Sequence, residues 1–415
     1  MLLVYLKNIQ IGLMKYFLLI LLILILSNCN TKYNFDDNNY ITVDFERAIT
    51  RKVNINEIAD SMEFTFLQYD KQNLVGKIID YRITKNYIFL VDQQQKLFIY
   101  KKNGNLVSVI HKRGKGPSEY INIEDFTIDS NEEYIYILDP GNSKVLKYNI
   151  YGTYKHGYSI PYTHAAHISN HKNVNHFIYQ SARFSEKSFN VFITDSNFNT
   201  INSISDPGGQ LIKNIPYLLD VFWYNYNEHT HYKEVLVDTV YRINKNFKSE
   251  PYILFNFGKY KMPNKYYTET KYYQMGAHEF YQIGSLMESK GYIFISIFFN
   301  NKKRYFLYQK NNGSLINLNS DKLVNNSNLD INFWPTYIDE DDKMYRFIEA
   351  GELINKLKST PKVKEIKHLL EFKDNPVLIS SKLIDKYLMN YPGAPKYQME
   401  FAAQTYKFPT QGSGY

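Results

Sequence analysis

The chain has one cysteine, Cys29, among its 415 residues. An internal disulfide is therefore excluded. Long apolar runs are also missing. Residues 17–26 are unbroken apolar residues, and ten are too few to cross a bilayer, which takes about 20. Motifs of chemistry are absent as well. There is no nucleophile elbow, no kinase signature and no paired-carboxylate motif. The glycine-rich stretch 114–120 lacks the Gly-x4-Gly-Lys-Ser/Thr spacing of a phosphate loop. His164, His167, His171 and His176 crowd one stretch, and His229 and His231 share one side of an expected strand. No cysteine or carboxylate completes a metal-ligand pattern around them. No metal, no catalytic residue and no cofactor is expected. Tryptophan is rare, at 2 against 39 Tyr and 27 Phe. The aromatics are read as filling between packed sheets, with some left to line a ligand surface.

Charge is dispersed. The formal balance is +8, and without residues 1–28, which hold Lys7 and Lys15 and no acid, it is +6 (47 basic against 41 acidic). The apolar run follows Lys15, as in the core of a signal peptide. Leu26-Ser27-Asn28-Cys29 resembles a lipobox, in which Cys29 becomes the lipidated first residue. The alternative is an ordinary signal peptide with an incidental cysteine. Residues 1–28 are thus expected to be a signal peptide whose translation starts at Met14. Residues 29–40, polar and rich in Asn and Asp, are expected to be a lipidated tether. Export argues against a nucleic-acid partner and for the bacterial cell envelope, lipid-anchored to a membrane.

The most informative stretch is 75–154, which holds two copies of one unit. The first contains Tyr87-Ile88-Phe89-Leu90-Val91-Asp92, then Leu97-Phe98-Ile99-Tyr100, then Asn103-Gly104. The second contains Tyr134-Ile135-Tyr136-Ile137-Leu138-Asp139, then Val145-Leu146-Lys147-Tyr148, then Tyr151-Gly152. Asp92 and Asp139 are 47 positions apart, and the Tyr100–Tyr148 and Gly104–Gly152 pairs are each 48 apart. The runs are rich in β-branched and aromatic residues and do not alternate, which fits strands covered on both faces. Asn103-Gly104 supplies the positive φ of a tight hairpin. A period of this size with four strands per unit marks propeller blades. Residues 76–380 divide by the 47–48 spacing into six to seven units, and insertions take up the excess.

The expected fold is all-β: a six-bladed β-propeller of four-stranded antiparallel blades over residues 41–384, with a short helical insertion in the last blade. Residues 63–67 are expected to close the ring beside the last blade. Residues 55–62 read as one or two helical turns. Helical insertions are expected at 352–357 and 363–370, an insertion over one face at 263–275, and a partly ordered tail at 385–415.

Between the two copies lies Arg113-Gly114-Lys115-Gly116-Pro117-Ser118-Glu119-Tyr120. A strand ending in Asp, an aromatic strand, an Asn-Gly turn and Gly-x-Gly-Pro-x-Glu-Tyr together resemble the NHL repeat. More closely, the chain resembles bacterial six-bladed β-propeller lipoproteins related to NHL proteins. Leu74-Val75-Gly76-Lys77-Ile78, Thr239-Val240-Tyr241-Arg242-Ile243, Phe255-Asn256-Phe257-Gly258-Lys259-Tyr260 and Asp374-Asn375-Pro376-Val377-Leu378 agree. That resemblance implies a fold and no settled activity.

Asp92 and Asp139 end corresponding strands, and each is expected to accept backbone N–H bonds in the turn that follows. Gly114, Gly116 and Pro117 shape a turn between blades, from which Lys115 faces outward. If NHL geometry holds, Asp92, Lys115, Glu119 and Asp139 share one face, the candidate ligand face. The leading function is a lipid-anchored extracytoplasmic binding module for a glycan, peptide or envelope partner protein. The alternatives are a lyase or hydrolase with a metal at the channel mouth, and a structural part of an envelope complex.

Overall fold

The computed structural model describes residues 40–161, 165–171, 175–180, 189–205, 222–233, 237–263, 266, 276–318, 323, 331–357 and 375–384. The expected export segment with Cys29, most of the 263–275 insertion, the 363–370 helix and the tail lie outside these residues.

Alternation fails along Tyr87–Asp92 because both faces of that strand are covered. Ile88 and Leu90 pack against Tyr345 and Leu378, while Phe89 and Val91 pack against Phe126, Ile135 and Leu146. The next strand, Leu97–Lys101, behaves the same way. Phe98 and Tyr100 face one neighbour, and Leu97 and Ile99 face the other. A sheet buried on both faces must sit between two others, and six such sheets complete a ring.

Blade 1 is Ile78–Ile83, Tyr87–Asp92, Leu97–Lys101 and Leu106–Ile110. Blade 2 is Asp125–Ile128, Tyr134–Asp139, Lys144–Asn149 and Tyr154–Ser159. Blade 3 is Ala165–His171, Asn175–Gln180, Phe189–Thr194 and Thr200–Ser205. Blade 4 is Phe222–Tyr226, His229–Lys233, Thr239–Ile243 and Ser249–Asn256. Blade 5 is Gln282–Glu288, Tyr292–Phe299, Lys302–Gln309 and Ser314–Asn317. Blade 6 is Tyr337–Ile338, Lys343–Ile348 and Val377–Lys382, completed by Glu63–Phe66. The helix Ala350–Leu357 is inserted between the second and third strands of blade 6.

Ring closure follows expectation. Glu63–Phe66 pairs antiparallel with Val377–Lys382, Phe66 opposite Val377 and Glu63 opposite Ser380. The N-terminal segment does more than close the ring. Ile41–Asp44 adds a fifth strand outside blade 4, and Ile49–Thr50 adds a parallel one outside blade 5. Both strands lie outside the four-stranded blades that the repeat predicts. Phe45 explains the route: its ring lies 5.1 Å from Phe257, 5.7 Å from Tyr281 and 5.1 Å from Phe306, plugging the blade 4–5 seam. Val53, Ile55 and Ile58 continue into the core of blades 5 and 6. The helical turn between them, Ile55–Glu57, is capped reciprocally by Asn54 and Glu57.

One-residue bulges recur at matching places. In the first strands of blades 1, 3 and 5 the extra residue is Ile79, Ala166 and Gly284. In the fourth strands of blades 1 to 4 it is Val107, Lys155, Ile201 and Tyr252. A bulge bends its strand and sharpens the local twist, which lets each blade turn from the axis to the rim.

Gly104 ties the first hairpin to the closing strand. Its φ is +89°, and a Cβ there would stand 2.1 Å from the Phe66 carbonyl oxygen. Gly104→Ala is expected to destabilise the fold by about 1–3 kcal/mol through the left-handed backbone alone, and by more through the clash. Gly291→Ala, with nothing within 4 Å of the new methyl, is the control. Denaturant midpoints of the two variants check this; equal midpoints would contradict the closure described.

Candidate functional site

The first strand of each blade borders the axis. The first residue past the bulge is Asp80 in blade 1 and His167 in blade 3, opposite Val91 and Tyr179, and Asp125, opposite Leu138, occupies the same place in blade 2. These three equivalent positions are linked across the blades. Arg82 donates from Nη1 to Asp80 Oδ1 at 2.5 Å and from Nη2 to Asp125 Oδ1 at 2.7 Å. Asp125 Oδ2 accepts the Ile168 N–H at 2.9 Å and lies 3.4 Å from His167 Nδ1. The Arg82 guanidinium also rides over the Phe126 ring at 5.2 Å. Burial opposes the charge of Asp125, but Arg82, His167 and the Ile168 N–H together hold its carboxyl below the usual range. At Asp80 burial wins over Arg82, and that carboxyl is pushed up. The result is a self-satisfied polar seam at the axial edge of three blades.

A second cluster joins blades 4 and 5. The Glu288 side chain is fully buried and accepts the Tyr224 hydroxyl at 2.7 Å, the Tyr252 hydroxyl at 2.7 Å and Lys310 Nζ at 2.6 Å. Tyr252 reaches it because it is the bulge residue of its strand. Burial drives both phenols well above their ordinary pKa, and the adjacent Glu288 charge adds to the shift. Burial pulls Lys310 down against the pull of Glu288. Beside this cluster His231 is packed by Tyr224 at 4.9 Å and Tyr252 at 4.4 Å. Such an array staples two blades together and leaves no group presented to solvent for chemistry.

The residues of the expected ligand face come together at one end of the blades. In each antiparallel sheet the second strand ends where the first begins, so Asp92, the 111–120 loop and Asp139 lie at the same end of the blades. The Asp92 carboxylate is buried and accepts the N–H groups of Gln94 at 2.9 Å, Lys96 at 3.0 Å and Gly76 at 3.1 Å. Asp139, also buried, accepts Ile121 N–H at 3.0 Å and Asn142 Nδ2 at 2.8 Å. Each carboxylate therefore fastens its own turn to the strand that enters its blade. Glu119 Oε2 accepts the Gly116 N–H at 2.9 Å across the loop. The loop is pinned further by Lys144 Nζ on Gly116 O, Asn142 Nδ2 on Gly114 O, and Tyr148 on Ser118 O. His111, Lys112, Arg113 and Lys115 are left exposed. Among the described residues Lys112, Arg113 and Lys115 have no ion-pair partner.

The histidines do not converge. His167 belongs to the axial seam, whereas His176 and His231 are buried in different blades. His164 lies outside the described residues. Among the described residues no group of three or more His, Cys, Asp or Glu is placed to hold a metal ion. Arg82, Asp80, Asp125, Glu288 and Lys310 were not singled out by sequence. A signal existed for two of them: Asp80-Tyr81 and Asp125-Phe126 open the two repeat copies alike.

The sheets and their ring closure define a six-bladed β-propeller whose polar groups are mostly spent on one another. Residues 40–382 match a family known as Domain of unknown function (DUF4934), and the chain belongs to that family. No curated protein matches it. Among solved structures, a Bacteroides fragilis protein described as exported is 20% identical, with a TM-score of 0.66 over 83% of this chain and 100% of its own. A DUF4221 member from Bacteroides vulgatus is 12% identical, with a TM-score of 0.48 over 79% of this chain and 98% of its own. At these identities the likeness is one of fold.

Two outcomes follow for the buried groups. Asp92→Ala strands three N–H groups and should cost at least ~2 kcal/mol, since each unsatisfied buried donor is worth about 1–3 kcal/mol. Lys115→Ala should stay within about 0.5 kcal/mol; urea titration separates the two. Burial, with nearby positive groups, lowers His231 to about 3, and burial lowers His176 to about 4. The unfolded chain, with histidine near about 6.5, takes up these protons first. Stability is therefore complete above that pH and is lost as pH falls toward 4 and 3. His231→Leu and His176→Leu should each flatten the fall in denaturation midpoint across that window. An unchanged slope in both would show that other groups drive it.

Proposed function

We propose that this chain is an exported binding module, lipid-anchored through Cys29, that takes an acidic glycan, peptide or envelope partner on the face carrying the 111–120 loop. One observation carries the reading. Three acids of that face are consumed internally, Asp92 and Asp139 by backbone N–H groups and Glu119 by Gly116, while Lys112, Arg113 and Lys115 stand exposed on a pinned backbone. A loop pinned by the side chains of Glu119, Lys144, Asn142 and Tyr148 loses little freedom on binding, so its cations are preorganised for an anion. In this reading Glu119 and Asp139 position the loop, Asp92 fastens the turn at 92–96 on the same face, and Lys115 touches the ligand. The resemblance to NHL-related lipoproteins, and the description of the Bacteroides fragilis protein of the same fold as exported, support this reading together with the apolar run before Cys29.

Two measurements test it. Cys29→Ala, expressed in a bacterial host, should leave the membrane fraction or remain unprocessed; unchanged lipid labelling would remove the anchor. Lys112→Glu with Arg113→Glu and Lys115→Glu should weaken capture of acidic glycans or envelope proteins about tenfold at low salt, each exposed contact being worth about 0.2–1 kcal/mol, while circular dichroism stays unchanged. Full binding by the folded triple variant would move the site off this face.

A further inference from the structure

A second cationic element stands on the same face, in blade 5. The strands Tyr292–Phe299 and Lys302–Gln309 are joined by Asn300 and Asn301, both with positive φ (49° and 58°). Asparagine tolerates that region better than most residues, and the turn makes a tight hairpin. This turn joins a second strand to a third, so it lies at the same end of the blades as the turn after Asp92. Asn300 N–H donates to His278 O at 2.6 Å and fixes the tip.

Three cations follow the tip: Lys302, Lys303 and Arg304. None has an ion-pair partner among the described residues. Phe298, just before the tip, is 48% exposed. Its ring rests on Gly284, the bulge residue of the first strand; a Cβ on that glycine would stand 2.7 Å from Phe298 Cε2. The missing side chain gives the ring a seat. Lys303 Nζ lies 5.8 Å from the Phe298 ring centre. Beneath, Arg304 covers Phe299 at 4.7 Å, and Phe299 meets Tyr281 edge-on at 5.0 Å. The hairpin therefore presents a half-exposed ring seated on Gly284 with the Lys303 ammonium over it, while Lys302 and Arg304 lie on the Phe299 side of the same hairpin.

A seated ring with charges at its rim matches a sugar ring bearing carboxylate or sulfate groups. The apolar C–H face of the sugar covers the plate, and the anions take the lysines. We infer that the blade 5 hairpin is a subsite for an acidic polysaccharide, with Phe298 as the stacking surface and Lys302 and Lys303 as the anion contacts. This rests on the reading of the face as a binding surface and names the chemical class of its ligand.

The test uses the full chain carrying Cys29→Ala, which has no lipid, in detergent-free buffer with polygalacturonate, neutral dextran, polyglutamate and phosphatidylglycerol vesicles as probes. Polygalacturonate should bind and dextran should not. Lys302→Glu with Lys303→Glu should weaken polygalacturonate binding about tenfold and lower its salt dependence. Phe298→Ala should weaken it about fivefold, as loss of a stacked ring does, and leave polyglutamate binding unchanged. Gly284→Ala, which unseats the ring and alters no charge, should reproduce the Phe298→Ala loss. Wild-type affinity in both ring variants overturns the inference, as does polyglutamate binding with the same response to them. Binding of vesicles alone overturns it too. If the hairpin variants lose binding while the 112–115 triple variant keeps it, the subsite stands and the placement on the 111–120 loop falls. The reverse pattern removes the hairpin and leaves the loop.

Discussion

Packing of each blade between two others is the interaction on which the rest of this protein depends. Tyr87–Asp92 illustrates it, with Ile88 and Leu90 serving one seam and Phe89 and Val91 the next. Fully burying one such side chain is worth about 1.5–3 kcal/mol, and the two seams of blade 1 draw on one strand at once. A blade alone would leave both faces in water. Stability therefore belongs to the ring, and a ring has to be closed.

Closure is where the N-terminal segment matters. A single shared strand, Glu63–Phe66, joins the two ends of the ring. The segment before it runs along the rims of blades 4 and 5, and Phe45 fills the seam between them. The Glu288 cluster ties those same two blades on polar terms, with two phenols and one ammonium on one carboxylate. Breaking one partner of such a buried group costs more than the group contributes net, because the rest is left unsatisfied.

Function has to be found in what this packing leaves over. Asp92 and Asp139, which end corresponding strands, are turn fasteners in space. Asp92 sits where the turn and the incoming strand turn their N–H groups inward, and it is buried for that reason. The axial acids Asp80 and Asp125 are likewise held by Arg82. Outward on the loop face stand two unpaired cationic elements, the 112–115 loop and the blade 5 hairpin, with Glu124 and Glu279 also exposed near them. Sign, more than shape, thus narrows the partner.

The repeat spacing, the Asn-Gly turns and the non-alternating apolar runs were enough to determine propeller blades, six to seven in number, and the resemblance to six-bladed lipoproteins fixed the count at six. These are local or periodic properties, and each copy repeats them. The NHL resemblance implied that Asp92, Asp139 and the 111–120 loop share an end, and the antiparallel order of the blades puts them there. The tertiary structure decided the remainder. Arg82 and Asp125 are 43 residues apart, and Tyr224 and Glu288 are 64; neither pair has a spacing that marks it before the blades are set side by side. The bulges that turn Tyr252 toward Glu288 and make a seat for Phe298 at Gly284 are one-residue slips in register. They arise from how a twisted strand fits its neighbour, a constraint that exists only once the ring has formed.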